Sequence, residues 1–279
     1  MLLIAFLALR AIGAMRWASL MRAHTSQIDA ANLVHQGQVP FPGHFKLSEL
    51  DGLPSPVQRY FCAVLKDAQP IIAATTIEMA GTMNLSATGD QWKPFTSRQR
   101  VTTHRPGFLW DASVDLFPGF SVRVEDSYIK GQGRLLARLL GLFTVAEVHG
   151  GGEIARGELM RFFAEAAWYP TALLPSQGVR WTAVDASSAL ATLTDGPVSL
   201  TLLFRFDAAG LISSVHAESR GAGAGADMVM LPWDCALSNY QWHNGMQLPC
   251  TGEAAWIRPE GRRAYFVGHL IQVSHEFTH

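Results

Sequence analysis

RFFAEAAWYPTALLPSQGVRW, residues 161–181, is a helical run that halts at Pro170 and Pro175 and leaves as a strand. Glu158, Arg161, Glu165 and Trp168 recur three, four and three residues apart, which sets them in one stripe along a helix. Leu159, Phe162, Phe163 and Ala166 fall on the other side. Pro170 biases Tyr169 away from helical dihedrals, so the helix is predicted to end near Trp168. Thr171 to Leu174 add a turn before Pro175, and Gly178 permits the reversal into GVRWTAVD. Two placements follow. If the apolar side packs on a sheet, the charged stripe is a solvated ion-pair row. If the helix plugs a hollow, the stripe lines it, and Glu165 beside Trp168 becomes a partly desolvated carboxylate suited to acid or base work.

On both sides of this run the sequence reads as strands. TTIEMAGTMNLSA, RQRVTTH, GFLWDASVD, FSVRVEDSYIKGQG and LFTVAEVHG precede it. GVRWTAVD, SALATLTD, VSLTLLFRFD and LISSVHAESR follow, then CALSNYQW, GEAAWIRP and RRAYFVGHLIQVSH. These segments are short, β-branched or aromatic, and divided by Gly, Pro and Asp turns such as DGP and DAAG. About a dozen strands in series favour one large antiparallel sheet over βαβ units. Such a sheet has to curl to hide its apolar face. The predicted class is therefore a β-dominated α+β fold, a half-barrel with helices over its concave side.

Composition narrows the function. Of 279 residues 48% are apolar and 16% charged, and the formal charge of −1 leaves no footprint for a nucleic-acid partner. Eight tryptophans and fifteen phenylalanines point to an aromatic core or an apolar ligand site. Three cysteines, Cys62, Cys235 and Cys250, carry no CxxC spacing, and only a Cys235–Cys250 bridge stays open.

The opening MLLIAFLALRAIGAMRWASLMRAH, residues 1–24, is an apolar helix interrupted by Arg10, Arg16 and Arg22. Leu, Ile and Phe gain about 0.3–0.6 kcal/mol each at a bilayer centre, and a central arginine costs about 2.5–3.5 kcal/mol. A secretory signal sets its charge before the apolar stretch; here it comes after. The segment reads either as a marginal membrane anchor or as an amphipathic helix packed on the protein itself. Residues 25–52, with GQVPFPGHF and LDGLPSP, read as a connector. In PVQRYFCAVLK, Ser55 is a cap, Pro56 suits the first turn, and Val57, Tyr60, Phe61 and Val64 share a face. Residues 53–279 then form a single β-rich domain.

Catalytic motifs are sparse. HEFTH, residues 275–279, matches a zinc-protease pattern, but it closes a strand-like run and is read as accidental. GAGAGADM, residues 221–228, is a loop without the lysine of a phosphate-binding motif, and GQG at 131–133 is a turn. No GxSxG elbow, cofactor fingerprint or metal-ligand spacing is found. Asp126 and Tyr128 lie two apart on one strand and share a face, with Glu125 on the other. Asp126, Tyr128, Arg161 and Glu165 can meet if the helix covers this strand, either as a cofactor-free catalytic group or as a polar network tying helix to sheet. Trp92, Trp110, Trp168, Tyr169, Trp233 and Tyr240 are the aromatic candidates for lining a cavity.

RFFAEAAWYPTALLP, with LPSPVQRYF (53–61), QWKPFTSRQ (91–99), VEDSYIKGQGRL (124–135) and LPWDCALSNY (231–240), resembles a bacterial family carrying a domain of unknown function. That resemblance implies an N-terminal membrane segment, a bacterial inner-membrane location on an unspecified side, and no established activity. The implied shape is similar to the half-barrel of periplasmic lipoprotein carriers. The expected role is to bind a hydrophobic small molecule or lipid in the hollow. The alternatives are acid–base catalysis by Glu165 and Asp126 on a hydrophobic substrate, and an accessory subunit of a membrane-protein complex.

Overall fold

In a computed structural model the strands form one antiparallel sheet of thirteen. The structure describes residues 1–36, 42–86, 89–223 and 228–278. Two helices come first, α1 (Leu2–Gln36) and α2 (Ser55–Val64). The strands before the proline-stopped segment are β1 (Ile72–Asn84), β2 (Trp92–Thr102), β3 (Gly107–Phe117), β4 (Phe120–Ile129), β5 (Gln132–Leu139) and β6 (Phe143–Gly150). After α3 (Gly152–Ala164) come β7 (Arg180–Ala183), β8 (Ser188–Asp195), β9 (Val198–Phe206), β10 (Ile212–Ala222), β11 (Val229–His243), β12 (Met246–Arg258) and β13 (Gly261–Phe277).

The sheet order is β6-β5-β4-β3-β2-β1-β13-β12-β11-β10-β9-β8-β7. Each strand pairs with its sequence neighbour, except where β1 meets β13 at the centre and where β6 and β7 form the two edges. The chain between those edges is α3 and the proline-stopped segment, so this stretch has to cross the sheet from one side to the other. It contacts β3, β4, β5 and β6 on one flank and β9 and β10 on the other. One helix can touch strands so far apart in the order only if the sheet curls around it. The half-barrel expectation holds.

Inward and outward residues alternate as the pleat requires. On β3, Phe108, Trp110, Ala112 and Val114 face the core while Asp111 and Ser113 do not. Val57, Tyr60, Phe61 and Val64 of α2 are buried in the same core. Helix α2 starts at Ser55, one residue earlier than expected, and no side chain caps it. Cys62, Cys235 and Cys250 are free thiols.

Two expectations need correction. The connector does not begin at residue 25, because α1 continues to Gln36. Residues 37–41 of the expected connector lie outside the described residues, as do 224–227 of the Gly-Ala loop. RLLARLL, left out of the strand series, belongs to β5. Its leucines and arginines carry no strand propensity, and pairing with β4 and β6 decides its state.

Helix α1 packs against the convex face, on β2, β3 and β4. Trp17 Nε1 donates to Asp111 (2.8 Å), His24 Nδ1 lies 2.8 Å from the buried Glu125, and Arg100 Nε donates to Asp29 (3.0 Å). Gly13 lets the helix close on the sheet, since a Cβ there would lie 2.0 Å from the Leu140 carbonyl oxygen. Toward its start the helix exposes Leu3, Ile4 and Leu7, while Phe6 packs its ring 5.2 Å from that of Phe120.

Candidate functional site

Helix α3 is buried on both sides. Leu159, Phe162 and Phe163 enter the core, and the stripe of Glu158, Arg161, Glu165 and Trp168 lines a cavity of about 260 Å³. The solvated-row alternative is thereby set aside. The two arms of the sheet enclose the stripe and leave its charged side chains mostly buried.

Arg161 organises one wall. Its Nε donates to Glu165 (2.8 Å), Nη1 donates to Asp126 on β4, and Nη2 donates to Gln99 (3.3 Å). Gln99 Nε2 returns a bond to Glu165 (2.6 Å), closing the ring. The guanidinium lies 4.8 Å from the Trp110 ring and 5.0 Å from Phe108. Burial opposes its charge, but Glu165, Asp126 and Glu158 outweigh that and hold it more firmly protonated than usual.

Trp168 stands in a 3-10 turn, Glu165–Trp168, that follows α3. Its Nε1 donates to Pro249 O (2.7 Å), and its ring edge sits against Gly252, where a Cβ would approach to 2.6 Å. His275 of the HEFTH run lies on β13 with Nε2 3.0 Å from Trp168 O, and burial pushes its pKa down. His279 lies outside the described residues. No group of metal-ligating side chains occurs among the described residues.

Burial makes Glu158 a weaker acid than an ordinary carboxyl. Desolvation and the neighbouring Asp126 raise its pKa well above the ordinary value, against the opposing pull of Arg220 and Arg161. Glu158 Oε2 and Asp126 Oδ1 are both buried without a donor. The Cys235 thiol also lines the cavity, and burial pushes it up to about 12, far from a reactive thiolate.

Of the aromatic candidates, Trp110, Trp168 and Trp233 line the cavity. Tyr169 is fully buried beside it, its hydroxyl donating to Phe162 O (2.5 Å), and Tyr240 donates to Ile212 O (2.7 Å). Trp92 is 37% exposed at the far end of β2. Tyr128 shares a face with Asp126 but not its network, because its hydroxyl donates to Asp195 on β8 (2.7 Å). None of these four reaches the hollow, which the curl of the sheet confines to one zone along the strands.

The opposite wall was not anticipated. It carries Arg220, Trp256, Tyr265 and Phe266. Arg220 is 8% exposed and lies 4.6 Å over the Trp233 ring and 5.7 Å over Trp256. Trp233 Nε1 donates to Tyr265 Oη (3.1 Å). An arginine at the end of LISSVHAESR is the one local signal, and strict alternation points it outward with His216 and Glu218.

Residues 51–275 match the family described as "Family of unknown function (DUF6920)", so the chain belongs to it. A LolA superfamily protein from Nitrosomonas europaea is similar in structure, with a TM-score of 0.42 and 8% identity over 81% of this chain and 94% of that one. A β-barrel-like protein of the domain of unknown function DUF1849 from Brucella abortus gives a TM-score of 0.22 and 10% identity, over 74% of this chain and 99% of that one. No curated protein matches the sequence.

Proposed function

We propose that this member of the DUF6920 family holds a hydrophobic ligand in the hollow of its half-barrel, at a membrane surface that the start of α1 enters. The observation that carries the reading is the cavity itself. It is walled by Trp110, Trp168, Trp233, Trp256 and Phe266, with charged groups gathered around Arg161 on one side and Arg220 on the other, so apolar surface and placed polar groups meet in one hollow. Four tryptophans around one hollow also provide the assay. A neutral naphthylamine dye is expected to bind the folded protein with energy transfer from tryptophan, and Ala254→Trp, which fills the hollow, is expected to abolish it. A folded protein that binds no dye, or a filled variant that binds as well as wild type, would remove the reading.

Membrane attachment rests on the way α1 divides. From Gly13 onward it is docked on the sheet, so the part free to enter a bilayer is the stretch before Gly13. Leu3, Ile4 and Leu7 are exposed there, and Phe117 is exposed beside Phe120, against which Phe6 packs. Arg10 suits the headgroup level. The paired change Leu3→Asp and Leu7→Asp is expected to release the protein from vesicles in a flotation assay while leaving dye binding intact.

One observation favours a second reading. A carboxyl whose pKa is raised by burial in an apolar hollow suits a general acid, and burial shifts Glu158 in that direction. Asp126 and Glu165, the acids first considered, are both engaged by Arg161. For an enzyme, Glu158→Gln abolishes turnover of the bound compound; for a carrier, it leaves ligand release unchanged.

A further inference from the structure

Two β-bulges aim side chains into the cavity that strict alternation would send elsewhere. Between β10 and β11, Ala217 pairs with Trp233 but the next pair is Arg220 with Leu231, so β10 carries one extra residue. Ala217 faces the core and His216 faces outward, bonded to Asp234 (2.6 Å). Without the extra residue Arg220 would share the outer face of His216. The bulge turns it inward. Between β12 and β13, Ala254 pairs with Phe266 and Ala255 with Ala264, which leaves Tyr265 as the extra residue. Tyr265 and Phe266 therefore both reach the cavity although they are adjacent in sequence.

The two devices converge. Arg220 Nη1 donates to Tyr265 Oη (3.4 Å), and Arg220 Nε donates to Gly157 O (3.2 Å). Of the lining carboxylates, Asp126 and Glu165 pair with Arg161 and Glu253 pairs with Arg262, and Glu158 enters no salt bridge among the described residues. Arg220 enters no salt bridge among the described residues. It is a buried cation bonded to neutral acceptors and stacked on aromatic faces, with Glu158 close enough to feel its charge but not bonded to it, and a buried charge without a directly bonded partner is costly. Folds retain such a charge where a ligand completes the pair.

We propose that Arg220, oriented by Tyr265 and stacked on Trp233, is the headgroup site for a single-chain amphiphile bearing a carboxylate, whose tail lies along Trp110, Trp168 and Phe266. The proposal rests on the ligand-binding reading above and adds the class of ligand. A cavity of about 260 Å³ takes one short or medium chain. The carboxylate meets the guanidinium in a water-poor site, where a charge-assisted hydrogen bond is at its strongest.

The test compares decanoate, decanol and decylamine as displacers of the naphthylamine dye from the full-length protein. Wild type is expected to bind decanoate about tenfold or more tighter than decanol, with decylamine weakest. Arg220→Met is expected to erase the preference for the acid while leaving decanol binding in place, and Arg220→Lys to keep part of it. If Arg220→Met does not fold, the wild-type series and Arg220→Lys decide. Equal binding of acid and alcohol, a preference for the amine, or an acid preference that survives Arg220→Met overturns the headgroup site and leaves the cavity reading standing. Failure of the dye and all three compounds to bind overturns both.

Discussion

Arg161 on α3 reaches across to Asp126 on β4, and this ion pair ties the plug to one arm of the sheet. The same guanidinium holds Glu165 on its own helix (2.8 Å) and rests on Trp110. A side chain that neutralises two carboxylates inside a low-dielectric hollow is difficult to remove, because each acid then stays buried without its partner.

Arg161→Met is therefore expected to lower stability by about 3–5 kcal/mol, measured by urea unfolding. Adding Asp126→Asn and Glu165→Gln to it should recover much of the loss, since the orphaned charges are gone. Additive losses across the three changes would contradict a single coupled network.

Glu158 sets a pH dependence. Its folded pKa is raised, so the folded chain keeps a proton that the unfolded chain releases above an ordinary carboxyl value of about 4.3. The stabilisation is complete below that value and is lost as pH rises through the folded pKa. The groups acting on it are Asp126, which favours the proton, and Arg220 and Arg161, which oppose it. Wild type is expected to lose stability relative to Glu158→Gln as pH rises above the ordinary carboxyl value and through the raised folded pKa. Parallel urea midpoints for the two proteins over that range would show that Glu158 is ionised throughout.

Docking of α1 depends on Gly13. A methyl group placed 2.0 Å from the Leu140 oxygen has to push the helix off the sheet. Gly13→Ala is expected to cost about 1–3 kcal/mol and to raise hydrogen exchange in α1 from Trp17 to Asn32. Unchanged protection in that stretch would mean that the contact yields without undocking.

Tyr128 serves the fold rather than the cavity. Tyr128→Phe removes its bond to Asp195 and is expected to cost about 1–3 kcal/mol, with dye affinity unchanged. A loss of dye binding at full stability would return Tyr128 to the site.

Much of this arrangement is legible from local pattern. The strands of β3, β8 and β9 follow the two-residue period of their apolar side chains, and Pro170 ends the helical run where its ring restricts Tyr169. Asp126 and Tyr128 share a face because any strand imposes it. Their separate partners do not follow from that face: Asp126 meets α3, whereas Tyr128 meets β8 across the hollow. The burial of Glu158 likewise depends on what covers the helix, which a helical wheel does not state.

Taken alone, the sequence determined which segments other than β5 are strands, where the plug stops, and that the apolar content needs a curled sheet to cover it, because those properties arise within a few neighbouring residues. Tertiary structure decided that β1 closes against β13, that the chain from β6 to β7 has to bridge the two edges, and that Arg220 and Tyr265 turn inward. Pairing register is set by packing between distant strands, and one extra residue reverses the face that every following side chain presents.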